Sequence, residues 1–137
     1  MTLLVRDLMT QDVVAVRPED NLATLRDLMI DYNIRHMPVV DREKYVVGLV
    51  SHRDLLRHSL IERNDVPQSL ERSVLEEVRV EEVMTTGVVT VDPDSDIREA
   101  AQILLENKYG CLPVVEGERL VGMLTESDFV KLMAGGE

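Results

Sequence analysis

Hydrophobic and polar positions follow the same order in two blocks of the chain. Each block opens with a short run rich in valine, residues 13–16 in the first and 88–91 in the second, and a proline stands two residues after each run. Runs of β-branched residues bounded by proline predict short strands. Apolar residues then recur at spacings of three and four, which predicts an amphipathic helix after each strand.

The starts of the two predicted helices carry polar residues that can accept hydrogen bonds from the first turn. Asp20 or Asn21 is expected to cap the first helix, and Asp94 or Ser95 the second.

Two further valine-rich runs follow in each block, around a polar turn, and predict a strand pair. In the first block these are residues 38–40 and 46–50. Ser51 and Thr125 then begin a closing helix, where a hydroxyl can accept from free backbone N–H groups. Each block is therefore predicted to be β-α-β-β-α.

The two blocks are copies of one unit. Met9-Thr10 aligns with Met84-Thr85 at an offset of 75 residues, and Gly48 aligns with Gly122 at an offset of 74, because the second copy has lost one residue in its polar turn. Neither copy alone has the apolar area to fold by itself. We predict a first repeat at residues 1–60, a connecting helical segment at 61–79 that begins near Asp65 and Pro67, and a second repeat at 80–137.

Composition narrows the classes of partner. The net charge is −11 and aromatic residues make up 3%, so the chain lacks both the basic stripes and the stacking platforms that bind nucleic acid. No apolar run approaches the roughly 20 residues that cross a bilayer. The single cysteine, Cys111, excludes an intramolecular disulfide. We expect a cytoplasmic protein with neither nucleic acid nor membrane as a partner.

Two motifs recur in both copies and point to a family. A hydrophobic-Pro-Val-Val-acidic segment at 37–41 and 112–116 precedes Gly-x-x-[Ser/Thr]-x-x-Asp-hydrophobic at 48–55 and 122–129. This order resembles the CBS domain, named after cystathionine β-synthase, over about residues 5–60 and 80–133. The resemblance implies an α/β (α+β) fold in which two repeats pack sheet to sheet as one pseudo-two-fold module, with a ligand cleft between them. It also implies a homodimer.

Ser51 and Asp54 place a hydroxyl and a carboxylate three residues apart at a helix start, and Thr125 and Asp128 do the same in the second copy. A carboxylate can accept from the 2′ and 3′ hydroxyls of a ribose, and the resemblance implies this use for Asp54. The alternative is that the hydroxyls are only helix caps and the carboxylates only first-turn charges.

Arg35 and His36 form a local basic patch in an acidic chain, and Arg53 is a third candidate. Arginine can hold two phosphate oxygens at once, and the resemblance implies phosphate contacts for Arg35 and His36. The matching positions in the second copy are Gly110 and Cys111, which predicts unequal sites. A solvated arginine and a sheet-edge histidine are the competing interpretations.

A base pocket could be walled by apolar residues near the first strands and the Pro-Val-Val segments. The candidates are Val14, Met37, Val89 and Leu112. Core packing is the competing interpretation for these positions.

No catalytic or metal site is predicted. The three histidines lack zinc-ligand spacing, and Cys111, just before an apolar Pro-containing strand, is expected to be a buried, inert thiol.

The sequence thus predicts a non-catalytic regulatory module that binds an adenine nucleotide (AMP, ADP or ATP) as its regulatory ligand, requires no cofactor and signals to a separate effector protein. The alternatives are a ligand-free dimerisation or protein-interaction module, and a binder of S-adenosylmethionine, NAD(H) or a cyclic dinucleotide. A small metal-dependent hydrolase is a third alternative.

Overall fold

The computed structural model describes residues 2–63 and 68–135, and the side chains of these residues outside 58–71. The α-helices in these ranges are α1 (Val5–Leu8), α2 (Leu22–Asp31), α3 (His52–Arg63), α4 (Gln68–Leu75), α5 (Ile97–Asn107) and α6 (Glu126–Gly135). The strands are β1 (His36–Val40), β2 (Val46–Ser51), β3 (Cys111–Glu116) and β4 (Arg119–Thr125), and a 3-10 helix spans Val80–Glu82. The predicted connector helix is present as α4, and its proposed start at Asp65 and Pro67 lies outside the described residues.

The strands form two hairpins, β1 with β2 and β3 with β4, which confirms the two predicted strand pairs. The β3–β4 pair is antiparallel, with Cys111 opposite Thr125 at one end and Glu116 opposite Arg119 at the other. A bulge between Val114 and Val115 shifts the register by one residue.

The runs at 13–16 and 88–91 are not strands, contrary to the prediction. Each makes a single parallel bridge, Val16 to Val39 and Val91 to Val114. In the first, Val16 N donates to the carbonyl of Pro38 at 3.1 Å and Val40 N donates to Val16 at 2.9 Å.

Prolines explain why each bridge stops at one residue. The next bonds of a parallel ladder would need the N–H of Pro18 on one side and that of Pro38 on the other, and proline has none. Pro93 and Pro113 hold the equivalent places in the second copy. The valine-rich runs therefore pair with β1 and β3 as predicted for strands, but each makes one bridge and not a full ladder.

Two compact units divide the chain, and each is discontinuous. The central unit contains residues 14–43 and 47–88, and the terminal unit contains residues up to 13, residues 44–46 and residues from 89 onward. The first residues of the first copy therefore pack with the second copy, and the first residues of the second copy pack with the first. The repeats of the sequence and the packing units of the structure are different divisions of the chain.

A Met-Thr pair closes the terminal unit. Thr10 N donates to the Met123 carbonyl at 2.9 Å, and Met123 N donates back to the Thr10 carbonyl at 3.0 Å. The Met9 side chain lies over Gly122, where a Cβ atom would be only 2.5 Å from the Met9 Sδ. Glycine is needed here because β4 and the incoming segment approach closely.

The central unit is closed in the same way by the second Met-Thr pair. Leu49 N donates to the Thr85 carbonyl at 3.0 Å, and Thr85 N donates back at 2.9 Å. A Cβ atom at Gly48 would lie 2.6 Å from the Met84 Sδ. We call these two contacts the Met-Thr clips.

Each unit has its own apolar core. The central core contains Val16, Leu22, Ala23, Leu25, Met29, Met37, Val39, Val50, Leu55, Leu75, Val78 and Val80. The terminal core contains Val5, Val91, Ala100, Leu104, Leu112, Val114 and Leu124. These include the periodic apolar positions of the sequence and the equivalent residues Val5 and Val80, whereas Leu75 and Val78 come from the connector between the repeats.

An ion pair fixes α4 against α2 at the surface of the central unit. Arg72 donates to the two carboxylate oxygens of Asp27 at 3.0 and 2.9 Å, a bidentate geometry that guanidinium groups favour. The Arg72 hydrogen bonds hold the pKa of the Asp27 carboxyl below its usual value.

Helix capping agrees with prediction in one copy and differs in the other. Asn21 accepts from Thr24 N at 2.9 Å, as predicted. In the second copy the cap is Asp96, which accepts from Arg98 N at 2.8 Å, and not Asp94 or Ser95. The Asp94 carboxylate is instead paired with Arg6 of α1.

Replacing Gly122 by alanine should destabilise the terminal unit, because the new methyl group would meet Met9 Sδ at 2.5 Å and the Thr10 carbonyl at 3.1 Å. We expect a loss of about 1–3 kcal/mol in the free energy of unfolding, measured by urea denaturation. Gly135→Ala is the control, since nothing lies within 4 Å of its Cβ position. In a chain that also carries Met9→Ala, Gly122→Ala should lower the free energy of unfolding by less, because the clash with Met9 Sδ is gone. Equal stability of the Gly122→Ala and Gly135→Ala variants would contradict the role of the clip.

Candidate functional site

Ser51 and Asp54 bind each other at the junction of β2 and α3. Ser51 N donates to Asp54 Oδ2 at 3.0 Å, and Asp54 N donates to Ser51 Oγ at 3.1 Å. This reciprocal pair is the geometry of a capping box and confirms the predicted capping role of the Ser51 hydroxyl. It also fixes the Asp54 carboxylate, whose second oxygen has no hydrogen-bond partner among the described residues.

Arg35 lies beside this junction. Its carbonyl accepts from His52 N at 2.7 Å, so the start of β1 and the start of α3 are tied together. The side chains of Arg35, His52 and Arg53 are exposed, and His36 is half-buried. The structure therefore groups the predicted phosphate residues and the Ser51–Asp54 pair at one end of one hairpin.

The second copy has the same carboxylate position with a different hydroxyl arrangement. Thr125 N donates to Asp128 Oδ2 at 2.8 Å, and the Thr125 hydroxyl donates to the same oxygen at 3.2 Å. A Ser127 hydroxyl lies 2.8 Å from the Thr125 hydroxyl. The Thr125 hydroxyl therefore orients the carboxylate, where the prediction had it accept from the helix backbone as Ser51 does. Ser127 stands where the first copy has Arg53, so a second hydroxyl takes part in this chain.

The backbone frame is the same in both copies. Glu126 N donates to the Gly110 carbonyl at 3.1 Å, as His52 N does to Arg35. Sequence reasoning did not single out His52 and Glu126 as site positions. The repeat offset of 74 residues was the signal that could have paired them.

Cys111 begins β3 and is fully buried. Burial raises the pKa of its thiol to about 12, and the nearby Glu126 carboxylate acts in the same direction. A thiol of this kind is not a nucleophile at neutral pH, in agreement with the predicted inert cysteine.

The candidate base-pocket residues fall in different environments. Met37 and Leu112 are fully buried in the central and terminal cores, which favours core packing for both. Val14 is half-buried against the central core, and Val89 is 42% exposed in the terminal unit. Val14 and Val89 are thus the two of the four whose side chains retain accessible surface.

Neither a metal cluster nor a bilayer-spanning helix occurs among the described residues. Residues 2–63 and 68–135 contain no group of three or more His, Cys, Asp or Glu side chains placed to hold a metal ion. In the same part of the chain, every helix is too short or too polar to cross a bilayer.

Comparison with known proteins identifies the family to which this sequence is similar. A family model described as CBS domain matches residues 5–61 and 80–135. The inosine-5'-monophosphate dehydrogenase of Methanocaldococcus jannaschii is 31% identical over 126 residues, which cover 91% of this chain but 22% of that enzyme. The chain also spans only 42% and 32% of the next two curated relatives.

Solved structures match over nearly the full length. The AcuB protein of Vibrio cholerae is 36% identical with a TM-score of 0.81, over 98% of this chain and 93% of its own. CBSX2, a protein of Arabidopsis thaliana, was solved in complex with AMP and is 27% identical with a TM-score of 0.79, over 96% of both chains.

The burial of Cys111 predicts slow thiol chemistry. A rise of the pKa from 9.0 to about 12 lowers the thiolate fraction about a thousandfold below pH 9. We expect iodoacetamide at pH 8 to label the native protein at least about a hundredfold more slowly than the urea-unfolded protein, as followed by mass spectrometry. Equal labelling rates in the two states would contradict the burial of this thiol.

Proposed function

The chain belongs to the CBS-domain family, and from this premise we propose that it is a regulatory module that binds an adenine nucleotide and signals to a separate effector protein. The fold alone does not assign a function, so the proposal depends on the site. The observation that carries it is the grouping of Arg35 and His36 with the Ser51–Asp54 pair at one end of the central hairpin.

The Asp54 carboxylate is suited to a ribose. One oxygen is held by Ser51 N, so the group is oriented before a ligand arrives, and the other oxygen can accept from a sugar hydroxyl. Orientation in advance reduces the entropy cost of binding. We assign the same role to Asp128, which Thr125 orients through two hydrogen bonds.

A phosphate can be held next to the ribose in the central unit. Arg35 and Arg53 are exposed cations, and the bond from His52 N to the Arg35 carbonyl joins their two segments, with His36 next in β1. The start of α3 adds the positive end of a helix dipole. In a chain with a net charge of −11, such a local cluster is what allows a phosphate to approach.

Regulation, not catalysis, is the activity we assign to this chain. The relatives that are named as enzymes are several times longer, since the chain covers 22% of the dehydrogenase. A ligand can drive a signal only by binding one conformation more tightly than another, and the partner must respond to that difference. Adenine nucleotides are metabolites of the cytoplasm, and we place the protein there.

The ribose assignment is tested with Asp54→Asn and Asp128→Asn in one chain. Asparagine keeps an oxygen for the Ser51 and Thr125 N–H groups but removes the charge, so AMP affinity should fall about tenfold to a hundredfold by calorimetry. Asp96→Asn is the matched control, because it makes the same change at the N-cap of α5. Unchanged AMP affinity in the double variant would refute the assignment.

The identity of the nucleotide is tested by thermal shift with AMP, ADP, ATP, S-adenosylmethionine, NADH and cyclic dinucleotides, since a ligand of the native state raises apparent stability. A folded protein that responds to none of them favours the ligand-free interaction module.

Self-association is the second part of the proposal, and exposed apolar residues on the helices support it. In the terminal unit Leu105, Val130 and Met133 are 75%, 66% and 82% exposed, and in the central unit Ile30 and Leu56 are 68% and 45% exposed. Ile30 and Leu105 are equivalent by the repeat, as are Leu56 and Val130. We call the exposed apolar set of each unit the apolar helix face of that unit.

Charges beside the apolar helix face of each unit favour a second copy of the chain as the partner. An acidic residue follows the apolar one on the first helix of each copy, Asp31 or Glu106, and a basic residue follows on the second, Arg57 or Lys131. An isologous dimer brings the same surface of two chains together, so acidic and basic helices can face each other across it.

Val130→Asp should weaken a homodimer, because it places an unpaired carboxylate in the contact. We expect the dimer dissociation constant to rise about a hundredfold or more in analytical ultracentrifugation. Leu3→Asp is the control, since Leu3 is also an exposed apolar residue but lies outside the helices. A wild-type chain that stays monomeric at high concentration would contradict the dimer.

A further inference from the structure

The two copies of the candidate site differ in charge. Four positions surround the bond between the start of the hairpin and the start of the following helix. In the central unit they are Arg35, His36, His52 and Arg53, and in the terminal unit they are Gly110, Cys111, Glu126 and Ser127. The first set contains two cations and two imidazoles, whereas the second contains no cation and one carboxylate.

The difference lies in the side chains and not in the backbone. The bond from His52 N to the Arg35 carbonyl, 2.7 Å, has its counterpart from Glu126 N to the Gly110 carbonyl, 3.1 Å. Both copies also keep the aspartate whose Oδ2 accepts from the backbone N–H three residues earlier. Each helix start contributes the same dipole, so the side chains decide the sign of the local potential.

A phosphate at the terminal copy would meet Asp128 and Glu126 without a compensating cation at the matching positions. The negative charge of Glu126 reaches Cys111, because after burial it is the second cause of the raised pKa of the Cys111 thiol. Lys108 is the nearest cation along the chain, and it lies at the C-cap of α5, two residues before Gly110. Like charges at short range disfavour an anionic ligand and favour a neutral or cationic one.

We propose that the two copies bind ligands of different charge, the central unit a phosphorylated nucleotide and the terminal unit a ribonucleoside whose 5′ substituent is uncharged or cationic. This inference rests on the proposed function, since both aspartates must hold a ribose. It adds that the repeat has diverged into two specificities. Gly110 and Cys111 are also smaller and carry no positive charge, unlike Arg35 and His36 in the central copy.

Calorimetry with three probes tests the proposal: AMP as the anion, adenosine as the neutral ligand and S-adenosylmethionine as the cation. Asp54→Asn should lower the affinity for AMP about tenfold or more and change the affinity for S-adenosylmethionine by less than about twofold. Asp128→Asn should lower the affinity for S-adenosylmethionine and leave that for AMP nearly unchanged. If Asp128→Asn weakens AMP as much as Asp54→Asn does, the two copies share one specificity and the inference is wrong. If none of the probes binds, the proposed function itself fails, which is a different result.

A charge exchange gives the converse test on the same backbone. Glu126→His with Ser127→Arg installs two of the four central residues in the terminal copy and removes its carboxylate. A second AMP site should then appear, raising the stoichiometry from one to two per chain. His52→Glu with Arg53→Ser should remove the first AMP site. Lys108→Ala should change neither, and a loss of AMP binding in that variant would overturn the assignment. If circular dichroism shows that an exchanged variant is unfolded, the affinities of Asp54→Asn and Asp128→Asn alone test the proposal.

Discussion

The Met-Thr clips are the contacts on which the rest of the structure depends. Each clip pairs the opening segment of one copy with a strand of the other, through two backbone hydrogen bonds and a methionine that lies over a glycine. Because of this exchange, neither unit is made from a continuous stretch of chain. A cut between the repeats would therefore leave each half without the segment that closes its sheet, so the pair and not the repeat is the unit that folds.

Local patterns predicted the elements but not this exchange. The hairpins and the helices before them followed from valine-rich runs and from spacings of three and four, which depend only on neighbouring residues. The partner of Met9-Thr10 is Met123, far along the chain, and no local pattern specifies it. The single bridges at Val16 and Val91 were predictable in principle, because the prolines that end them are visible in the sequence.

The site was predictable to the extent that chemistry follows from residue type and spacing. Ser51 and Asp54, three residues apart at a helix start, do bind each other as a cap, and the structure ties Arg35 to the same junction. Spacing could not distinguish the two copies in detail. The Thr125 hydroxyl donates to Asp128 and lies 2.8 Å from the Ser127 hydroxyl, and this arrangement appears only in three dimensions.

The same architecture explains how the two copies can differ. The clips and the bond between hairpin and helix are made by backbone atoms, and the clip glycines have no space for a side chain, so these contacts restrict what can change. Arg35, His52, Arg53, Glu126 and Ser127 are exposed, and their side chains support none of the core. A repeat held together in this way can exchange the charge at its binding positions with little cost to folding, because stability and ligand choice are carried by different atoms.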